Sequence, residues 1–536
     1  MRGLPRARWA AGALVLALAV TACGGGDDEG GDQGAAATGG DISMYIGEPE
    51  SLTPSNTNES EGSQVLRQIF TGLVDYNVED SQPINAHAES IEASADQKTF
   101  TIKIKPGWKF HNGEAITAQT YVDTWNWATQ KANAQANAYF YDKIVGYADN
   151  QAGKTTEMAG VKVVDDTTFT VELSTPFSQF PLTLGYNAFY PVPKAGLADV
   201  KAYNDAPIGN GPFKIEGKWE HNQQIKLVKN ADYAGDKKAK ADTATFKIYQ
   251  KIETAFQDLR AGTLDIMDTI PPEEIATAKT EFGDRYIEKP LSTFQYLGFP
   301  LYQPAFKNKD LRHAFSQAID RAAISKAIFN DTRVPATGVV SPVVAGGRPD
   351  ACGDLCKYNP DAAKAAFDKA GGFPGGKPIQ LWFNAGAGHE QWVQAAGNSI
   401  KSVLGVDYVL KGDLQFAEYL EVADQEKFTG PFRLGWVMDY PSPENFLAKL
   451  YVPGADSNNT GYDNPQVTDL IKQGDAAPNL EDGIKLYNQA EDLVIQDMPV
   501  IPMFFSNSNT AYSDRVTGVD IDAFGTIDLS VVSVKQ

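Results

Sequence analysis

Reactive and metal-binding side chains are scarce in this chain of 536 residues. It contains three cysteines and five histidines, and the histidines are scattered along the sequence. A zinc site needs several such ligands at short, regular spacing, so no metal or cofactor is predicted. Catalytic motifs are missing as well, because His389-Glu390 lacks a second histidine at Val393 and no G-x-S-x-G elbow occurs. We therefore predict that the protein is not an enzyme.

The chain also has fewer basic than acidic residues and lacks long apolar runs. Lys and Arg number 47 against 68 Asp and Glu, for a formal net charge of −21. Nucleic acid is therefore excluded as a predicted partner. The apolar run from Ala10 to Val20 is shorter than the roughly 20 residues that cross a membrane as a helix. It follows Arg2, Arg6 and Arg8, which is the layout of a signal peptide, here assigned to residues 1–22.

The first cysteine ends this leader. Val20-Thr21-Ala22-Cys23 resembles the lipobox of bacterial lipoproteins, so Cys23 is expected to be acylated and to anchor the mature chain outside the cell membrane. Residues 23–40 carry almost no apolar side chain and are predicted to form a flexible linker. Cys352 and Cys356 remain as C-G-D-L-C. In an oxidising compartment we expect them to form a disulfide, with a metal half-site as the alternative.

The patterning of the remaining chain is mixed and predicts an α/β protein. Phe100 to Ile104 alternates as a half-buried strand does, and Val164 to Thr167 is predicted to join two strands as a hairpin turn. Asp310 to Phe329 repeats apolar residues at helical spacing. Thr117 is a candidate N-cap of a helix that carries Tyr121 and Trp125.

Several segments resemble, in order, the peptide-type solute-binding proteins of ABC importers, the family of oligopeptide- and dipeptide-binding receptors. Lys98 to Trp127 is similar to its pattern of strand, Pro-Gly turn, Asn-Gly turn and T-A-x helix start, although Thr120 replaces the usual Asp. Pro207 to Phe213 resembles P-x-G-x-G-P-Y. Asp310 to Arg321 and Pro499 to Pro502 resemble a late helix and a late strand of the family.

The resemblance implies a two-lobed, type II periplasmic-binding-protein-like fold that closes by a hinge between the lobes. The first lobe is expected to comprise residues 41–290 and 505–536, with an extra subdomain at about 66–203, and the second lobe residues 291–504. The crossovers between lobes are expected near Leu291 to Phe299 and near Pro499 to Phe505.

The segment from Arg433 to Tyr440 carries the most specific expectation about the site. It resembles the family's G-W-x-x-D-Y segment, which implies that Asp439 pairs with the α-ammonium of a peptide. Trp436 is expected to form the wall of a side-chain pocket, and Arg433 to meet a peptide carboxylate. Core packing is the alternative for the aromatic residues, and a turn or N-cap role the alternative for Asp439. The further residues expected at the site are Asn58, Ser60, Tyr139, Phe416 and Tyr440.

The function implied by the resemblance is an oligopeptide receptor that delivers its ligand to ABC permease subunits driven by a cytoplasmic ATPase. The receptor is expected to be a monomer that touches the membrane only through its lipid. An oligosaccharide or a nickel or metallophore complex is the alternative ligand, because fold alone does not separate these classes. A surface hydrolase or a signalling protein without a permease is a third possibility.

Overall fold

The computed structural model describes residues 36–37, 39–455 and 457–535. The predicted signal peptide and Cys23 lie outside the described residues. Of the expected linker, Ala36 and Ala37 pair as a short strand with Lys535 and Val534. No helix within the described ranges is both long and apolar enough to cross a membrane.

The described part of the chain alternates strands and helices, which confirms the α/β class. The strands are β1 Ala36–Ala37, β2 Asp41–Ile46, β3 Val74–Tyr76, β4 Pro83–Asn85, β5 Ala88–Ala93, β6 Thr99–Ile104, β7 Val161–Asp165, β8 Thr168–Glu172, β9 Phe213–Ile215, β10 Gln224–Lys229, β11 Thr243–Ile248, β12 Ile266–Met267, β13 Tyr286–Ile287, β14 Pro290–Gly298, β15 Arg333–Pro335, β16 Ile379–Trp382, β17 Tyr408–Lys411, β18 Phe432–Trp436, β19 Val500–Asn507, β20 Thr510–Tyr512, β21 Val516–Thr517 and β22 Ser533–Lys535. The α-helices are α1 Ser60–Ile69, α2 Ala118–Thr129, α3 Tyr147–Gln151, α4 Phe180–Thr183, α5 Lys194–Ala198, α6 Val200–Asp205, α7 Ile252–Arg260, α8 Ile275–Phe282, α9 Lys309–Gln317, α10 Arg321–Phe329, α11 Pro360–Lys369, α12 Glu390–Leu404, α13 Phe416–Asp424, α14 Pro443–Tyr451, α15 Pro465–Asp475 and α16 Leu480–Asp497.

Two large mixed sheets organise the molecule. The first has seven strands in the order β13-β20-β12-β2-β11-β10-β9, and the second has six in the order β15-β19-β14-β18-β16-β17. The second sheet is buried on both faces, because Phe294 and Tyr296 of β14 pack into one apolar core and Leu297 packs into another. Strands β14 and β19 at the centre of this sheet are accordingly buried along most of their length.

Within the described ranges, the chain passes between the two sheets in two short connections. Residues 288–289 join β13 to β14, and residues 508–509 join β19 to β20. The crossovers are expected near residues 291–299 and near 499–505, and these connections lie beside those segments. The two segments themselves lie largely within β14 and β19, which pair with each other in antiparallel orientation.

A smaller four-stranded sheet, in the order β5-β6-β8-β7, packs against α2 within the region expected to form an extra subdomain. Strand β6 contains the predicted strand, and β7 pairs with β8 around the predicted hairpin turn. Thr117 is the N-cap of α2, as predicted. The hydroxyl of Thr120 accepts a hydrogen bond from the backbone N–H of Thr117 at 3.1 Å, so Thr120 fulfils a capping role at this position.

The apolar pattern from Asp310 to Phe329 forms two helices rather than one. Helix α9 ends at Gln317, and Asp320 caps α10 by accepting a hydrogen bond from the N–H of Ala323 at 3.0 Å. Apolar periodicity persists across the break because both helices pack on the same core. Arg321, at the start of α10, is buried, and its guanidinium donates to the carbonyl oxygens of Ser316, Ile319, Pro502 and Cys356. Cys356 itself forms a disulfide with Cys352.

Replacing Arg321 with Met should lower the free energy of unfolding by about 3 kcal/mol, because several buried carbonyl oxygens would lose their donor. Urea denaturation measures the change. Arg260→Met is the matched control, since Arg260 is exposed and pairs with Glu281 at 2.8 Å, and such pairs contribute about 1 kcal/mol or less. Equal losses in the two variants would contradict this role of Arg321.

Candidate ligand-binding site

A cavity of about 570 Å³ lies between the first sheet with α1 on one side and the segment after β18 on the other. Asn58 and Ser60, at the start of α1, line one wall. Asp439, which follows β18 of the second sheet, lines the other wall. The structure thus brings together three of the residues expected at the site, although they are separated by almost 400 positions in sequence.

Asp439 is held by a small hydrogen-bond network. Its Oδ2 accepts from Asn445 Nδ2 at 2.9 Å, and its backbone N–H donates to Asn445 Oδ1 at 3.0 Å. Trp436 Nε1 donates to the same Oδ1 at 2.9 Å. Burial raises the pKa of Asp439 to about 6, while the Asn445 hydrogen bond and the charge of Lys449 act in the opposite direction. No ion pair formed by Asp439 is found in the described part of the chain, so its charge is available to a cation entering the cavity.

The same cavity is lined by further carboxylates, which the sequence analysis did not predict. Burial together with the neighbouring charge of Glu61 raises the pKa of Glu59 to about 7, and the same two causes raise that of Asp268 to about 7. Arg67 also lines the cavity, but it is paired with Asp522 at 2.7 Å. Two signals could have indicated these groups. Glu59 lies between the two predicted residues Asn58 and Ser60, and Asp268 follows a strand that is parallel to its neighbour β2.

Tyr139 and Tyr440 line a second cavity, of about 330 Å³, rather than the one that Asp439 lines. The ring of Phe140 stacks between those of Tyr139 and Tyr186, at centroid distances of 4.6 and 4.3 Å. Because Tyr186 lines the first cavity, this aromatic stack separates the two spaces. Tyr440 is buried, and its hydroxyl donates to Glu444.

The model of the bacterial extracellular solute-binding proteins, family 5, matches residues 82–458. This match covers more than half of the chain. The protein belongs to this family.

A relative and two solved structures are similar to the chain along nearly their whole length. The chain is 28% identical to the oligopeptide-binding protein OppA of Bacillus subtilis, over 96% of each sequence. The solved structure of the Escherichia coli murein tripeptide binding protein MppA is 23% identical, with a TM-score of 0.78 over 94% of this chain and 99% of that one. Haemophilus influenzae OppA in complex with the peptide RPPGFSPFR is also 23% identical, with a TM-score of 0.75 over 94% and 100% of the two chains. These likenesses establish the two-lobed fold.

The remaining residues expected at the site of this solute-binding protein lie outside the lining of the first cavity. Arg433, on β18, donates from Nη1 to Asn384 Oδ1 at 3.3 Å, and its Nε is buried. Trp436 is half-buried and orients Asn445, as described above. Phe416 begins α13 and is 49% exposed. Contacts of these three side chains with a ligand stay predictions.

In the ligand-free solute-binding protein, Asp439→Asn should raise the free energy of unfolding by about 2 kcal/mol at pH 8. The folded-state pKa of about 6 lies above the ordinary value of 3.8, so the ionised carboxylate opposes folding above pH 6. Well below pH 3.8 the carboxyl is protonated in both states and the gain should vanish. Urea denaturation at several pH values measures this, with the exposed Asp413→Asn as control. A gain that is independent of pH would contradict the assignment.

Proposed function

We propose that this protein is an extracytoplasmic receptor that binds oligopeptides between its two lobes and delivers them to an ABC permease for import. The observation that carries the proposal is the carboxylate of Asp439, which faces a cavity and forms no ion pair in the described part of the chain. A buried carboxylate is stabilised strongly by a cation, and the free amino terminus of a peptide supplies one.

The relatives favour a peptide over the other classes of ligand that proteins of this fold are expected to bind. The relatives reported above are named for oligopeptides or for a murein tripeptide, and one was solved with a nine-residue peptide. The acidic lining formed by Glu59, Glu61 and Asp268 also favours a cationic ligand over a neutral oligosaccharide. A nickel or metallophore complex remains the second candidate, because carboxylates also bind metal complexes.

The receptor captures its ligand by closure of the two lobes over the cavity. The proposed lobes are residues 41–290 with 505–536 and residues 291–504. The cavity is lined from both, and among the residues that the structure describes the main chain connects the two large sheets at 288–289 and 508–509. Rotation about these short connections would open the cavity to solvent and close it over a ligand.

Substituting Asn for Asp439 should weaken the binding of unmodified oligopeptides at least tenfold, since the charged partner of the amino terminus is lost. Isothermal titration calorimetry measures the affinity. An N-acetylated peptide of the same sequence is the matched ligand, and it should bind the wild type weakly and be affected little by the substitution. Unchanged affinity for the free peptide would remove Asp439 from the site.

The class of ligand can be identified from the molecule that stays bound to the receptor during purification. A closed receptor that is purified gently and then denatured should release peptides, which mass spectrometry identifies. Recovery of only oligosaccharides or metal chelates would refute the peptide proposal and leave the receptor function in place.

We further propose that acylated Cys23 anchors the receptor beside its permease, with the residues that follow acting as a tether. Cys23→Ser should shift the protein from the membrane fraction to the soluble extracytoplasmic fraction, because no acyl chain can be attached. Fractionation followed by immunoblotting measures the distribution. Retention of the variant in the membrane fraction would show that another contact holds it there.

A further inference from the structure

The extra subdomain contacts the second proposed lobe at a surface that lies apart from the lining of the first cavity. Helix α15 ends there at Asp475, and the last carbonyl oxygens of a helix have no partner within it. The backbone N–H of Ser178 donates to the carbonyl oxygen of Asp475 at 2.7 Å, and Ser178 Oγ donates to that of Gly474 at 3.2 Å. The extra subdomain thus caps a helix of the other lobe.

An ion pair reinforces this cap. Lys143 Nζ lies 3.4 Å from Asp475 Oδ2, and it also lies 4.2 Å from the centroid of the Phe177 ring. A cation is favourable at the C-terminus of a helix because the helix dipole is negative there. The other carboxylate oxygen of Asp475 accepts a hydrogen bond from the hydroxyl of Tyr487 at 2.8 Å. Because the side chain of Asp475 is only 10% exposed, water and salt screen this pair less than a surface pair.

The contact extends from α15 to the start of α14. Ser442, the N-cap of α14, donates from Oγ to Gln179 Oε1 at 2.8 Å, and both residues are buried. Tyr440, which follows β18 of the second sheet, packs into the apolar core of the extra subdomain. Gln97 Nε2 donates to the carbonyl oxygen of Pro478 at 3.1 Å. We call this surface the latch, and it is formed by Gln97, Lys143, Ser178 and Gln179 on one side and by Tyr440, Ser442, Gly474, Asp475 and Pro478 on the other.

Buried amide side chains join the extra subdomain to the rest of the first lobe. Nδ2 of Asn137 and Nδ2 of Asn187 both donate to the carbonyl oxygen of Thr57 at 2.7 Å, and Asn187 also donates to that of Pro54 at 3.1 Å. Thr57 precedes α1, so we expect the extra subdomain to move with the first lobe when the lobes rotate. The latch then lies on the surface that separates as the cavity opens.

We propose that the latch holds the receptor closed in the absence of a ligand. The inference rests on the lobe closure of the proposed function and adds a contact that does not involve the ligand. The latch joins protein groups on both sides, so it forms whether or not the cavity holds a peptide. A peptide must then enter through a minor open form, and the latch slows both its entry and its release.

Small-angle X-ray scattering of the ligand-free protein tests the latch. Bound ligand is removed by unfolding in urea, dialysis and refolding with the disulfide intact. The wild type should have the radius of gyration of the closed structure. The double variant Lys143→Met, Ser178→Ala loses the ion pair and one hydrogen bond, so its closed-to-open ratio should fall about tenfold and its radius should increase.

Two further variants make the comparison specific. Asp475→Asn weakens the same ion pair from the other lobe, so the radius should shift in the same direction. It also decides the question if the double variant does not fold, which circular dichroism shows. Lys154→Met is the matched control, because Lys154 pairs with Asp149 at 2.9 Å within the extra subdomain. This control should keep the radius of the wild type.

The possible results separate the latch from the function. An expanded ligand-free wild type, or folded latch variants with the radius of the wild type, would overturn the latch. An equal expansion of Lys154→Met would overturn it as well, since the loss of any lysine ion pair would then loosen the molecule. A compact ligand-free protein that binds no peptide would refute the proposed function and leave the latch in place, because the scattering experiment requires no ligand.

Discussion

This site depends on one constraint, which is a partly buried carboxylate that forms no ion pair in the described part of the chain. The carboxylate of Asp439 is partly buried beside a cavity, and its pKa is raised because burial outweighs both the hydrogen bond from Asn445 and the charge of Lys449. Folding by itself does not favour such an arrangement, since a neutral side chain there would be more stable. The stabilisation missing from the ligand-free protein can instead come from a bound cation. This links the instability of the empty site to its affinity for a ligand.

The architecture makes that arrangement possible. Asp439 follows a central strand of the second sheet, whose two buried faces hold its backbone in place. Asn445, near the start of α14, orients the carboxylate and receives a hydrogen bond from Trp436. The opposite wall comes from α1 and the first sheet. A rigid second sheet and a separate first wall allow the charge to be exposed to a ligand and then covered.

The lining of the cavity is acidic. Glu59, Glu61 and Asp268 accompany Asp439 there. The positively charged amino terminus of a peptide is complementary to this group of carboxylates, whereas a neutral oligosaccharide is not.

Much of the architecture could be predicted from local patterns. Strand β6, the hairpin of β7 and β8 and the cap at Thr117 depend on interactions between neighbouring residues, so alternation and turn chemistry indicated them correctly. The break at Asp320 was missed because α9 and α10 pack on one core and keep a common apolar period. The crossovers were placed by position from the family resemblance, and the connections between the two large sheets at 288–289 and 508–509 lie beside the expected segments.

Within the site, the sequence by itself determined the family resemblance and the expectation that Asp439 lies at the site, since both follow from short motifs of neighbouring residues such as the one around Trp436. Only the tertiary structure decided which residues share a space with it. Glu59 and Asp268 join Asp439 in one cavity, while Tyr139 and Tyr440 line another. The physical reason is that the walls of a cavity meet through space, and residues almost 400 positions apart, such as Asn58 and Asp439, line the same cavity only when both sheets have formed.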